Sequence, residues 1–300
     1  MSKYDFMKQL EIKLKDSGLS DDWIISSGAR YGNNEVKKYG IFISRNKEVL
    51  SYSFYIDRYY DDYCKKKMTL DEACDEILYR FDQMNKKNRF SPDILLNIDN
   101  FLDDITYKLV SVKKNPNILK NIPHVPFLDM ALVFYISNVY LDDVLSNVQI
   151  TNSMMEFWNV DTDDLFRLAE ENTPRLLPYK TVSLSSVMME FFEADNLSGL
   201  SPEPDEDPPI YILSNRDCLF GATALAYPGI TEKLKEIMKG SFFIIPSSVH
   251  EVLVVPYTGS EDLAGLTSIL NEVNGEFVRN DEILSDTVYC YDAAKEQFYF

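Results

Sequence analysis

Ser247, Ser248, His250 and Glu251 crowd into the segment Pro246-Ser247-Ser248-Val249-His250-Glu251, set between two apolar runs. A hydroxyl nucleophile, an imidazole base and an orienting carboxylate are the parts of acyl-transfer hydrolysis. In that reading Ser247 or Ser248 attacks, His250 takes the proton and Glu251 holds the ring. Strand geometry opposes a purely local version, because neighbours on an extended chain point to opposite faces and Glu251 then cannot orient His250. The strained nucleophile turn G-x-S-x-G is also missing. An acid from elsewhere, such as Asp217 or Asp286, would have to serve. The competing reading makes His250 a hydrogen-bonded structural histidine and assigns no catalytic residue.

Two further segments put directional polar groups beside turn residues, Asn172-Thr173-Pro174-Arg175 and Ser214-Asn215-Arg216-Asp217. Arg175 and Arg216 belong to only nine basic residues after position 120. A planar guanidinium in acidic surroundings pairs with carboxylates. The alternative is a ligand site in which His124, Arg175, Asn215, Arg216 and His250 gather around a small anion. His124 itself lies between prolines in Ile122-Pro123-His124-Val125-Pro126 and suits the anchor of a rigid loop.

Cofactor signatures are missing from the sequence. It contains neither G-x-G-x-x-G nor G-x-x-x-x-G-K-[ST], the glycine patterns that let backbone N–H groups approach a phosphate. With two histidines, His124 and His250, a H-E-x-x-H zinc site cannot be built. Cys64, Cys74, Cys218 and Cys290 form no C-x-x-C and read as plain thiols. Asp161-Thr162-Asp163-Asp164 lacks the glycine and glutamate of a calcium loop and reads as a charged helix start. No metal and no cofactor are expected.

The elements that must position these residues follow from pattern. Ser2 caps a helix over 3–15 with Phe6, Leu10 and Leu14 on one face, and Thr69-x-x-Glu72 opens another carrying Ala73, Ile77, Phe81 and Met84. Strands are expected at 38–45, 49–54, 105–112 and 127–137, with 149–150 pairing beside the last. Ser91-Pro92 starts a short helix, and helices are expected at 151–158, 162–172 and 183–193. A strand at 210–214 precedes helices at 219–226 and 229–239, then strands at 242–246 and 249–255. The last helix, 261–274, turns Leu263, Leu266, Leu270 and Val273 inward, and strands at 287–291 and 298–300 finish the chain. Consecutive strands mixed with helices predict an α+β fold with mixed, mainly antiparallel sheets.

The 300 residues exceed the usual single core, and the charge is uneven: residues 1–89 hold 17 basic and 15 acidic side chains, residues 90–300 hold 13 and 33. Two modules are expected, a near-neutral 1–89 and an acidic 90–300, with a hinge near Lys86-Lys87-Asn88-Arg89 and a mobile loop near 198–209. A net charge of −18 disfavours direct binding to nucleic acid or anionic membrane and favours a basic protein partner. No secretory signal or membrane-length apolar run is visible, so a cytoplasmic location is expected.

Val36–Ser44, Ile122–Asp129, Glu171–Leu176, Pro246–Glu251 and Leu284–Tyr289, taken in order and spacing, resemble a family of gut-bacterial proteins catalogued as a domain of unknown function. The resemblance spans nearly the whole chain, implies a bacterial cytosolic origin and carries no activity with it. The leading expectation is therefore a non-enzymatic binding or interaction protein whose acidic region does the work. The alternatives are a hydrolase using the Ser/His segment at 247–251, and an acidic inhibitor of a nucleic-acid-binding protein.

Overall fold

A computed structural model describes residues 1–45, 51–87, 95–141, 144–194, 209–257, 259 and 262–300. The fold is α+β, and the strand registers described below are all antiparallel. The chain divides into two compact units, one of residues Met1–Phe101 with Ser137–Asn147 and the other of Leu102–Ile136 with Val148–Phe300. The expected hinge at Asn88-Arg89, the Ser91-Pro92 helix start and nearly all of the 198–209 loop lie outside the described residues.

In the first unit, helix α1 (Lys3–Lys15) starts at Ser2, whose Oγ accepts from the Asp5 N–H at 3.1 Å. Its Phe6, Met7, Leu10 and Leu14 are fully buried. They pack on a sheet of β1 (Trp23–Tyr31), β2 (Lys37–Arg45) and β3 (Tyr52–Tyr55), in that order. Helices α2 (Asp57–Cys64) and α3 (Leu70–Lys87) follow. The α3 cap is reciprocal: Glu72 N–H donates to Thr69 Oγ1 at 3.2 Å and Thr69 N–H to the Glu72 carboxylate at 2.7 Å. Burial alone would raise the Glu11 carboxyl, but hydrogen bonds from Lys15, Ser27 and Lys8 overcome it and hold the group down to about 2.

The second unit contains two sheets. The smaller orders β4 (Ile105–Ser111), β6 (Met130–Leu141) and β5 (His124–Phe127), and β7 (Val144–Gln149) also pairs with β6; residues 137–147 belong to the first unit. Then come α4 (Asn152–Trp158), α5 (Thr162–Leu176), β8 (Tyr179–Ser183), α6 (Leu184–Ala194), β9 (Tyr211–Asn215) and a 3-10 turn, Gly221–Ala226. Helix α7 (Ile230–Met238), β10 (Phe242–Ser248), β11 (Glu251–Pro256), α8 (Leu263–Glu276), β12 (Tyr289–Asp292) and β13 (Gln297–Tyr299) complete it. The larger sheet runs β13-β12-β10-β11-β9-β8.

Every residue of β4 is buried although it is an edge strand. Its unpaired N–H groups are met by threonine hydroxyls instead of a strand: Tyr107 donates to Thr173 Oγ1 of α5 and Leu109 to Thr223 Oγ1 of the 3-10 turn, both at 3.1 Å. Asn172 holds the same helix end by donating to the Leu102 and Ile105 carbonyls at 2.7 and 3.1 Å. These anchors carry α5 past the expected stop at Asn172, through Pro174 to Leu176.

Three further expectations are corrected. Pattern alone does not predict β1, α2 or β8: β1 carries a small, weakly apolar centre (Ser26-Ser27-Gly28-Ala29), and the other two are short. Phe127 ends β5 instead of starting the next strand, because Leu128 adopts a left-handed backbone and turns the chain. On α8 the inward position is Asn274, not Val273. Asn274 is 4% exposed and donates to the Ser285 carbonyl at 3.0 Å and the Asp286 carboxylate at 3.4 Å, whereas Val273 is 39% exposed.

Candidate functional site

Ser248 pairs with Glu251 where β10 turns into β11, so the whole Ser/His segment forms one hairpin end. Ser247 Oγ donates to the Glu251 carbonyl at 3.1 Å and lies 3.4 Å from its carboxylate. Ser248 Oγ accepts the His250 backbone N–H at 3.0 Å. Among the described hydrogen bonds, neither hydroxyl meets the His250 ring. That ring accepts the Phe220 N–H on Nδ1 at 3.2 Å, so its proton sits on Nε2, which faces Glu282 Oε1 at 3.8 Å. A ring held this way presents a donor where a general base needs a lone pair. Ser247, Ser248, His250 and Glu251 are brought together at the hairpin end, where the described hydrogen bonds of Ser247, Ser248 and His250 run to backbone groups.

The partner of the hairpin is the turn from Asn215 to Gly221. Asn215, fully buried, clamps it from both sides: its Nδ2 donates to the Leu219 carbonyl at 2.8 Å and its Oδ1 accepts the Leu219 N–H at 3.2 Å. Cys218 and Phe220 both take left-handed φ, costly for residues with a side chain. Gly221 then has to be glycine, since a Cβ there would collide with Ser214 Oγ, the His250 carbonyl and the Asn215 nitrogen. This conformation, read from sequence as the start of a helix at 219, lays the Phe220 ring 5.6 Å from that of His250.

On its other contact Phe220 covers Lys108 of β4, a residue that sequence reading passed over. Lys108 pairs with Val133 and Thr106 with Tyr135, so Lys108 and Tyr135 are diagonal neighbours on one face. The Lys108 ammonium lies 4.2 Å from the centroids of both Tyr135 and Phe220. The residue is 5% exposed, and burial brings its amine down to about 8. Burial also pushes the Tyr135 phenol up to about 12, and its oxygen accepts from Gln149 at 3.3 Å.

The remaining candidates do not join this cluster as a set. His124 lies across Val133 from Lys108, in register on the same sheet face, but is exposed, with Nδ1 3.1 Å from the Ile122 carbonyl. Arg175 reaches back to the Asp103 carbonyl at 2.7 Å and Asn172 Oδ1 at 2.8 Å, fastening α5. Arg216 is exposed and pairs with its neighbour Asp217 at 3.0 Å. Of the five, Asn215 and His250 share one structure, connected through Leu219 and Phe220.

Compared with models of protein families, residues 3–293 match a family of unknown function. The chain belongs to the DUF5688 family. No curated protein and no solved structure matches it.

In this DUF5688 chain, segments far apart in sequence meet. Asp129, in the β5–β6 turn, accepts from Thr287 Oγ1 at 3.1 Å, Ser285 Oγ at 3.5 Å and the Tyr289 hydroxyl. Tyr289 is fully buried, and burial together with Asp129 pushes its phenol far up. The Val249 N–H donates to the Glu282 carbonyl at 2.8 Å, bringing the 279–289 loop against the hairpin. Arg279 clasps Asp281 there through bonds of 3.1 and 3.2 Å.

The same DUF5688 chain exposes an apolar stripe along α8 and its C-terminal capping residue, Phe277. Ile269, Val273 and Phe277 recur at helical spacing and are 59, 39 and 77% exposed. Glu272 and Glu276, also exposed, border it. Among the described residues no helix is long and apolar enough to cross a membrane, and no group of three metal-binding side chains occurs.

Proposed function

We propose that this chain is a cytoplasmic, non-enzymatic interaction protein that docks a basic, apolar-anchored segment of another protein on the outer face of α8. The α8 stripe is the observation that carries the reading. Large side chains exposed in a row are costly in water and mark contact sites, and a carboxylate rim selects a partner with positive charge around its apolar anchors. The sequence adds the acidity of residues 90–300, 33 acidic against 13 basic side chains. The hairpin geometry supports the same reading from the other side, since the hydroxyls and imidazole that a hydrolase would use are engaged in holding backbone.

The test is a hydrogen-exchange footprint of the full chain with a synthetic amphipathic Leu/Lys helix peptide. Slowed exchange across 263–277, fading as salt is raised, is the expected result. Protection elsewhere, or binding indifferent to salt, overturns it.

A further inference from the structure

Lys108 takes no part in the α8 face or in the hairpin's hydrogen bonds. It stands in a strand whose seven residues are all buried. Two aromatic faces contact it at 4.2 Å, and among the described residues burial alone sets its amine, with no carboxylate paired to it. Arg279, beside the hairpin, already engages both Asp281 and Glu282. One wall of the site, Phe220, sits on a strained turn whose Cys218 and Leu219 face solvent. An ammonium kept from water and from anions loses its advantage over the free amine. A lysine amine desolvated between apolar groups is a nucleophile toward carbonyl carbon.

We propose that Lys108 is a covalent capture site for small, uncharged carbonyl compounds, held as a Schiff base between the rings of Tyr135 and Phe220. The Nζ lone pair attacks the carbonyl carbon and the C=O π pair moves to oxygen, which takes up one of the two Nζ protons. From the resulting carbinolamine the nitrogen gives up a proton, the hydroxyl leaves as water and C=N forms. Addition of water reverses every step, so no oxidant or reductant is consumed. Flat apolar walls favour a ligand with an apolar body, and the lack of a second free cation in the described cluster favours one without a carboxylate.

Propionaldehyde is a suitable probe. The full-length protein is treated with it at pH 7 in sodium cyanoborohydride, which fixes the imine as a propyl-amine, and the adducts are mapped by peptide mass spectrometry. With its amine near 8, Lys108 holds roughly 300-fold more free base at pH 7 than an ordinary lysine. The expected result is labelling about tenfold faster than at the exposed Lys113 and Lys233, with a midpoint near pH 8 in its rate profile. A Phe220→Leu variant, which keeps an apolar wall, is expected to retain the adduct. Lys108 lagging behind the exposed lysines at every pH, in both proteins, would mean a sealed structural amine and overturn the proposal.

Discussion

Replacing Lys108 with Met keeps most of the side chain's length and removes its charge, so the variant reads the cost of burying that amine. Moving a lysine from its usual 10.5 to about 8 penalises the protonated fold by about 3 kcal/mol. The sign follows from proton counting. Between pH 8 and 10.5 the unfolded chain keeps the proton that the fold has lost, so rising pH stabilises the wild type through this group. Below pH 8 both states are protonated and the penalty is complete. Urea unfolding of both proteins from pH 7 to 10.5 cancels every other titration common to them. The Met variant should be more stable by about 3 kcal/mol at pH 7, with its advantage shrinking steadily as the pH passes 8. A difference that stays flat with pH, or a Met variant less stable at pH 7, would show that Lys108 has a counter-ion and refute the reasoning.

Gly221→Ala should destabilise by about 2 kcal/mol or more, because the new methyl collides with backbone as well as with Ser214; urea melts check it. Tyr289→Phe strips the hydroxyl that Asp129 and Ser285 share and should cost about 1–2 kcal/mol in the same assay. Glu11 contributes stability that is complete above its usual 4.5 and is lost as the pH falls through about 2. Glu11→Gln should therefore be less stable near neutrality by about 2 kcal/mol, with the gap closing in acid, as followed by Trp23 fluorescence.

The sequence patterns that survived into the structure are those where local chemistry and tertiary packing agree. The Ser2 and Thr69 caps, with their Phe6–Leu10–Leu14 and Ala73–Ile77–Phe81 stripes, are cases of this. Pattern failed where a tertiary bond outweighed hydropathy. Asn274 displaced Val273 from the core because the Ser285 carbonyl and Asp286 needed its amide, and that rotation is what exposes the α8 stripe. At the site, His250 and Asn215 were visible as isolated polar residues beside turns. Phe220 was not, because a left-handed Phe has no sequence signature, and Lys108 was hidden as one polar residue in an apolar run. Its environment comes from Tyr135, next door in the sheet, and from Phe220, 112 positions further on.

The central claim is that α8 is a contact surface for a basic partner. Its most direct test is fluorescence anisotropy of a labelled amphipathic Leu/Lys peptide titrated with the full chain and with an Ile269→Ser, Val273→Ser, Phe277→Ser triple variant. All three side chains are exposed, so the variant should fold as the wild type does. The account predicts binding by the wild type and a loss of about 100-fold or more in the variant. Equal affinity for the two proteins, or tighter binding of a Leu/Glu peptide, would contradict it.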